Sequence, residues 1–203
     1  MRYGFLVDTY ATERIKVASV WTEFRDEDME TRPKADDVRG RSVREQMVHQ
    51  CVSEDLWFRT MLRIDVGAPP LPKEEKRNEF IGRYLEDSGK RLEALMGRDE
   101  GWWESETDFF DVKRSMAWVL TRRIAHTAHH RGQQMAMLRM LGRDVHSNYG
   151  PTADTGGLMQ NHAPTIYAYD GTRELLEDLE RGQGKRKLPG AGGKPVTERP
   201  RKG

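Results

Sequence analysis

The sequence predicts an all-α protein built as a four-helix bundle. Four long segments carry apolar residues at helical spacing, modest polar loops separate them, and no segment shows sustained strand alternation. Amphipathic helices of this kind bury their apolar stripes by packing against one another. We therefore expect the four helices to share one core.

The first two helices are predicted in the N-terminal third of the chain. One spans about residues 8–29, and its apolar stripe is formed by Val17, Val20, Trp21 and Phe24. Ser42 is a suitable N-cap for the second helix, because Glu45 three residues later completes a capping box. This helix is expected to continue to about residue 64, before a glycine and a pair of prolines.

Two more long helices and a short one are predicted further along the chain. The long helices span about residues 73–96 and 112–141, and Gly142 is a suitable residue to end the latter. Residues 143–169 show no helical period, which predicts a long C-terminal loop that is either functional or covers a helix end. A short extra helix over residues 172–179 follows it.

Composition limits the class of protein and its compartment. Cys51 is the single cysteine, which excludes an intramolecular disulfide framework and a cysteine-based zinc cluster. No apolar run is long enough to span a bilayer. The N-terminus meets an acidic residue too early for a signal peptide. The expected location is the cytoplasm.

The charge distribution separates a body from a tail. Residues 183–203 hold seven Lys or Arg and one Glu, together with five glycines and three prolines. Because the whole chain carries +1 and this segment +6, residues 1–182 carry −5. We expect residues 1–182 to form the bundle domain and residues 183–203 a basic, Gly/Pro-rich disordered tail. A body of negative charge does not favour nucleic-acid binding.

The most informative motif lies in the last long helix. His126 and His130 stand at i and i+4, so both imidazoles project from one face, one turn apart. Gln133 shares that face, on which apolar residues are otherwise expected. This spacing allows two ring nitrogens to bind one cation. His129 points about 100° away and is interpreted as a residue that supports the ligands, as is Gln133.

A third ligand is expected from another helix. His49 is the best candidate, because it is a titratable residue within the apolar stripe of the second helix. A hydrogen-bonded core histidine is the alternative for this residue. His146 and His162, in the long loop, are weaker candidates for the third ligand.

These residues resemble a known family. His49 is followed by the aromatic-rich stretch Glu54-Asp55-Leu56-Trp57-Phe58, and residues 126–133 read His-x-x-His-His-Arg-Gly-Gln. Over about residues 8–180 the sequence is similar to the DinB/YfiT-like superfamily of four-helix-bundle metalloenzymes. The resemblance implies a divalent metal ion, nickel or zinc, held by His49, His126 and His130. Several relatives transfer or isomerise small molecules with low-molecular-weight thiols.

Three histidine ligands leave open positions on an ion, which is the arrangement of catalytic rather than structural sites. Such an ion could activate a bound water or a bound thiol. Thr127 occupies the glutamate position of the His-Glu-x-x-His motif, so peptide hydrolysis is not favoured. Arg122, Arg123 and Arg131 could attract an anionic substrate or could be surface or ion-pair residues.

Three functions remain open at this point. The leading hypothesis is a metal-dependent transferase or isomerase that acts on a small molecule with a low-molecular-weight thiol. The alternatives are a metal-assisted hydrolase of a small amide or ester, and a stress-associated bundle that binds a metal or ligand without catalysis. No membrane partner is expected, and a homodimer is left open.

Overall fold

The computed structural model describes residues 2–182, 184–193 and 196–197. The helices are α1 (Gly4–Glu23), α2 (Val43–Leu56), α3 (Arg77–Met96), α4 (Glu100–Glu104), α5 (Met116–Met140) and α6 (Thr172–Arg181). A π-helical turn, Trp57–Met61, continues α2. Among the described residues, no helix combines the length and apolar character needed to cross a membrane.

The four long helices confirm the predicted bundle. α1 packs along α3, and buried hydrogen bonds tie α5 to the first two helices. Gln134 Oε1 accepts from Trp21 Nε1 at 3.1 Å and from Gln50 Nε2 at 2.9 Å. Apolar side chains from α1, α3, α4, α5 and the π-helical turn fill one core, which includes Tyr10, Phe58, Leu95, Trp103 and Leu120.

The helix ends follow local capping. Ser42 Oγ accepts from Glu45 N, and Glu45 Oε2 accepts from Ser42 N at 2.9 Å, so the predicted capping box is present. The first helix ends at Glu23 rather than near residue 29, because Phe24 adopts an extended conformation. Gly142 has φ 65°, the left-handed conformation expected just beyond a helix end.

A β-hairpin that no sequence pattern predicts occupies the predicted start of the last long helix, which begins at Met116 rather than near residue 112. β1 (Glu106–Phe109) pairs with β2 (Val112–Ser115) in antiparallel register. Both strands are short and mostly exposed, so they carry no detectable alternation. Phe110, in the turn, has φ 54°, a conformation that favours Gly or Asn. The sequence therefore lacks the usual hairpin signal.

The chain divides into two compact units, Met1–Met137 and Leu138–Gly203. This division falls within the continuous helix α5. It does not coincide with the predicted boundary between residues 182 and 183. The division into domains 1–182 and 183–203 therefore stays a prediction.

The second unit contains α6 and the long loop. The loop includes two 3₁₀ turns, Ala153–Thr155 and Met159–Asn161, and Ser147 N donates to Ile166 O at 2.8 Å. Residues 184–193 have no helix or strand. Arg186 forms ion pairs with Asp170 and Glu174, so this part of the tail contacts its own unit. The prediction of disorder also covers residues 183, 194–195 and 198–203, which lie outside the described residues.

Candidate metal centre

Three histidine rings converge in the first unit. His49 Nε2 lies 3.0 Å from His130 Nε2, which lies 3.2 Å from His126 Nε2. One ring nitrogen from each of the three residues lies within 4.8 Å of the other two. His130 is buried, and His49 and His126 are partly buried. The structure thus brings together the three residues that the sequence selects, and we call them the histidine triad.

The triad forms where α2 and α5 run side by side in opposite directions. Gln46, towards the start of α2, contacts Gln133, towards the end of α5. Ser53, towards the end of α2, accepts a hydrogen bond from Arg123, near the start of α5. Between these contacts, the helical spacing of His126 and His130 points both rings towards α2, where they meet His49.

The donor set fits a divalent metal ion. Two nitrogens bound to one ion at about 2.0–2.1 Å and at about 90–110° to each other are about 2.9–3.4 Å apart. Both short Nε2–Nε2 distances lie in this range. Imidazole suits zinc, nickel, copper and iron. The three histidines could therefore hold such an ion.

The proton on His130 has a defined position. His130 Nδ1 lies 3.1 Å from Gln46 Oε1 and 3.2 Å from Gln133 Oε1, and both of these oxygens can only accept. Nδ1 therefore carries the proton, and Nε2 keeps a free lone pair directed at the triad. Sequence reasoning did not single out Gln46, although it lies three residues before His49 on the same helix face.

The remaining histidines lie in other surroundings. His129 is exposed, its Nε2 accepts from Gln133 Nε2 at 3.0 Å, and its ring packs edge-on against His130 at 5.0 Å without adding a nitrogen to the triad. His146 Nε2 donates to Arg186 O at 2.7 Å within the second unit. His162 ends a 3₁₀ turn with φ 59°. Neither loop histidine is part of the triad.

His126 has a more apolar environment than His130. Trp57 stacks on its ring at 5.6 Å and 21°, and Phe109 from the hairpin packs edge-on against Trp57. His126 Nδ1 is buried and has no hydrogen-bond partner among the described residues. This side of the triad is therefore walled by aromatic rings rather than by hydrogen-bonding groups.

Burial makes the triad neutral over a wide pH range. Desolvation, reinforced by the charge of Arg123, lowers the pKa of His126 to about 3. Desolvation and the neighbouring His49 lower the pKa of His130 to about 4. The pKa of His49 is also lowered, by desolvation and by Arg41 and Arg123. All three rings therefore offer lone pairs at neutral pH.

Comparison with known proteins supplies the family. The model of the DinB family matches residues 6–158. The chain belongs to the DinB family.

Solved structures support the same fold for this DinB-family chain. A DinB-like protein from Bacillus cereus ATCC 10987 has a TM-score of 0.62 and 17% identity, over 71% of this chain and 95% of that one. The DinB-like protein YjoA from Bacillus subtilis has a TM-score of 0.56 and 16% identity, over 68% of this chain and 92% of that one. The curated proteins contain no match to the sequence.

A buried charge cluster lies one turn beyond the triad in this DinB-family protein. Glu54, fully buried, accepts from Tyr10 Oη at 2.6 Å and Tyr84 Oη at 3.3 Å, and pairs with Arg91 at 3.4 Å and Arg123 at 3.7 Å. We call these five residues the Glu54 cluster. Sequence reasoning missed it, although a carboxylate within an apolar helix face was a usable signal.

Two arginines and the cysteine that the sequence left open have structural roles. Arg123 pairs with Glu54 and Arg131 with Glu13, so both are ion-pair residues of the bundle. Cys51 is buried, and desolvation raises the pKa of its thiol well above the usual range. It is therefore a core residue rather than a nucleophile.

Proposed function

We propose that this protein binds a divalent metal ion through Nε2 of His49, His126 and His130 and uses it in thiol-dependent transfer or isomerisation of a small molecule. One observation carries the proposal: three imidazole nitrogens converge at ligand spacing, with no fourth His, Cys, Asp or Glu in the group among the described residues. An open three-histidine site is typical of catalytic rather than structural ions.

The protein's own residues would prepare the site for the ion. Gln46 and Gln133 hold the proton of His130 on Nδ1, which leaves Nε2 free as a ligand. Trp57 covers one face of His126 and excludes water there. The lowered pKa values keep protons from competing for the ligand nitrogens at neutral pH.

Thiol chemistry is favoured over hydrolysis by the groups around the triad. A bound divalent ion deprotonates a coordinated thiol outright, so this reaction needs no separate base. Hydrolysis usually employs a general base, and Glu54, the carboxylate five residues after His49 on α2, is fully buried and occupied by its cluster. Thr127 occupies the position of the usual base but supplies no such group. Its hydroxyl accepts a hydrogen bond from Arg123.

In the proposed transfer, a thiol sulfur forms a bond to an electrophilic carbon of the substrate. The leaving group departs with its electron pair, and the thiol proton passes to solvent. In an isomerisation, the thiol adds to the substrate, the adduct rearranges, and the thiol is released unchanged. No redox partner is required in either case.

The first test is the metal content of the full chain purified without chelators or a His-tag. We expect close to one nickel or zinc ion per wild-type chain and far less for His126→Ala. His129→Ala is the matched control, because its ring lies outside the triad, and it should keep its metal. Equal metal content in the wild type and His126→Ala would contradict the proposed site.

The second test measures conjugation of a small thiol with 1-chloro-2,4-dinitrobenzene by absorbance. We expect turnover that chelation abolishes, that added nickel or zinc restores, and that His126→Ala lacks. Metal-dependent turnover of esters or amides without any thiol would instead support the hydrolase. Stoichiometric metal binding with no turnover would support the non-enzymatic binding protein.

A further inference from the structure

The rings of His126 and His130 are held in place by different means. His130 Nδ1 has two amide oxygens within hydrogen-bond distance, those of Gln46 and Gln133. His126 Nδ1 is buried and, in the part of the chain that the structure describes, has no hydrogen-bond partner. A histidine that binds a metal through one ring nitrogen normally donates its other N–H to an acceptor, which fixes the ring plane. The orientation of His126 must therefore come from packing.

Trp57 supplies this packing. Its indole lies nearly parallel to the imidazole of His126, with 5.6 Å between the ring centroids and 21° between the ring planes. Trp57 begins the π-helical turn that continues α2, whereas His126 lies on α5, so the stack joins the two helices that carry the triad. Trp57 is 8% exposed, so its indole has little freedom to turn away from His126.

Three further side chains hold Trp57. Phe109 of β1 packs edge-on against it at 5.2 Å and 78°, and Phe110 of the hairpin turn does so at 6.3 Å and 83°. The guanidinium carbon of Arg123 lies 5.7 Å from the centroid of the Trp57 ring, within the range of a cation–π attraction. Two of these three residues belong to the hairpin. The hairpin therefore reaches a candidate metal ligand through a single indole.

The hairpin turn is strained at one of these contacts. Phe110 has φ 54°, a conformation that is unfavourable for a bulky side chain and persists only where the surrounding structure compensates for it. Phe110 is 70% exposed, so burial of its own ring compensates little. Its ring contacts Phe109 at 4.8 Å as well as Trp57. Such a residue next to the stack favours a role for the turn in the site over mere closure of the hairpin.

We propose that Trp57 and Phe109 are positioning residues for the metal site: Phe109 holds Trp57 against His126, and the stack fixes the plane in which Nε2 of His126 points at the triad. This inference rests on the proposed function, because it requires a metal ion at the triad. It adds a part for the hairpin in metal binding. Because such coupling is reciprocal, a bound ion must stabilise the hairpin by the same factor by which the hairpin strengthens binding of the ion.

The first experiment titrates the full chain with cobalt(II), whose visible absorption bands report the ligands around the ion. The variants are Trp57→Leu, which removes the stack, Trp57→Phe, which keeps an aromatic ring there, and Phe109→Leu, which removes the edge-on contact. Trp118→Leu is the matched control. Trp118 packs on Phe109 at 4.8 Å, and its ring contacts among the described residues are with Phe109 and Arg114 only.

We expect the Kd for cobalt to rise about tenfold in Trp57→Leu and about threefold in Phe109→Leu. Trp57→Phe should restore most of the affinity, and Trp118→Leu should bind as the wild type does. At saturation, the spectra of all four variants should match that of the wild type, because the three histidines still bind the ion. The spectrum of His126→Ala should differ, because a ligand is lost.

The second experiment measures hydrogen exchange of the backbone amides in β1 and β2 with and without saturating cobalt. In the wild type, cobalt should slow exchange in the hairpin. In Trp57→Leu, this protection should be lost, because the contact between the ion's ligand and the hairpin is broken. Amides of α6, which belongs to the second unit, are the internal control and should exchange at the same rate in both states.

The inference is overturned if Trp57→Leu and Phe109→Leu bind cobalt as the wild type does, or if Trp118→Leu weakens binding equally. An altered spectrum at saturation would also overturn it, because the ligand set itself would then have changed. Phe109 is only partly buried, so Phe109→Leu decides the matter if Trp57→Leu fails to fold. These results leave the proposed function standing, whereas failure of the wild type to bind cobalt would overturn both.

Discussion

The histidine triad and the Glu54 cluster are neighbours along α2 and α5, and the cluster adds residues from α1 and α3, yet their polar groups are satisfied in opposite ways. In the cluster, the carboxylate of Glu54 finds hydroxyl and guanidinium partners within the protein. In the triad, three Nε2 atoms face one another, and among the described residues no hydroxyl, carboxylate or guanidinium group forms a hydrogen bond with them.

This difference separates a structural network from a ligand site. A buried charge with all its partners in place maintains the fold, and breaking it is costly. Ring nitrogens that converge at ligand spacing could instead hold a metal ion. The following predictions concern changes that disrupt one of the two regions and leave the other intact.

The largest effect is expected from Glu54→Gln. The change leaves the buried guanidinium group of Arg123 without its ion-pair partner and leaves Arg91 with Asp55 alone, and it should lower the free energy of unfolding by about 3–5 kcal/mol. Urea denaturation measures this loss. Glu30→Gln, which removes an exposed partner of Arg44, should cost below about 1 kcal/mol. A similar small loss for Glu54→Gln would show that the cluster is not a structural network.

His126→Ala should have the converse effect. At a metal concentration of 100 times Kd, the wild type gains about 2.7 kcal/mol from binding, and the variant should lose this increment. Its stability without metal should change little, because the helices are held by their apolar stripes. Thermal melts with and without nickel or zinc measure both quantities. His129→Ala should retain the increment, and its loss there instead would reassign the ligand.

Gln46→Met tests whether hydrogen bonding to His130 tunes the triad. The variant keeps the side-chain volume but removes the nearer of the two acceptors for Nδ1–H and the amide that holds the other acceptor, Gln133, so metal affinity should fall about tenfold. Isothermal titration calorimetry with nickel measures this change. Gln50→Met is the control, since Gln50 is a buried amide on the same helix that contacts Gln134 and no histidine. Equal losses of affinity for both variants would point to general packing.

The smallest expected effect is a pH dependence of the metal-free protein. The pKa values of His126 and His130 are about 3 and 4 in the folded state, against about 6.5 for unfolded histidine. The unfolded state therefore binds more protons below pH 6.5, and stability falls from there towards pH 4 and 3.

We expect the melting temperature to drop by about 2–4 °C more for the wild type than for a His126→Gln variant between pH 6.5 and 5.5, where the unfolded histidine takes up its proton and the folded one does not. The comparison with the variant removes the contribution of carboxylates. The same low pKa values mean that metal-dependent stabilisation should persist at pH 5.5, where ordinary histidine is protonated. Its disappearance by that pH would contradict the lowered values.

The sequence predicted what short-range spacing controls. The i, i+4 histidines of α5, the capping box at Ser42 and the four long helices are local patterns, and the structure contains all of them. His49 was identified because a titratable residue interrupts an apolar stripe. The same argument applied to Glu54 would have indicated the buried charge cluster.

Other features depend on contacts that one sequence does not reveal. The hairpin β1–β2 is short, exposed and turned by Phe110, so neither alternation nor turn residues indicate it. The role of Gln46 depends on the antiparallel register of α2 and α5, which brings it to His130 across 84 positions. Helical period alone does not set that register.

The π-helical turn after α2 has a consequence for where related sequences can gain or lose a residue. Leu62 N donates to Trp57 O at 3.0 Å, five residues back, so the turn accommodates one residue more than an α-helix would. Loss of that residue would rotate the side chains that follow it in the same helix by about 100°. His49, which precedes the turn, would stay in place. Gaps in alignments of related sequences are therefore expected within residues 57–61 rather than within the histidine-bearing segments, so that length can vary without moving the ligands.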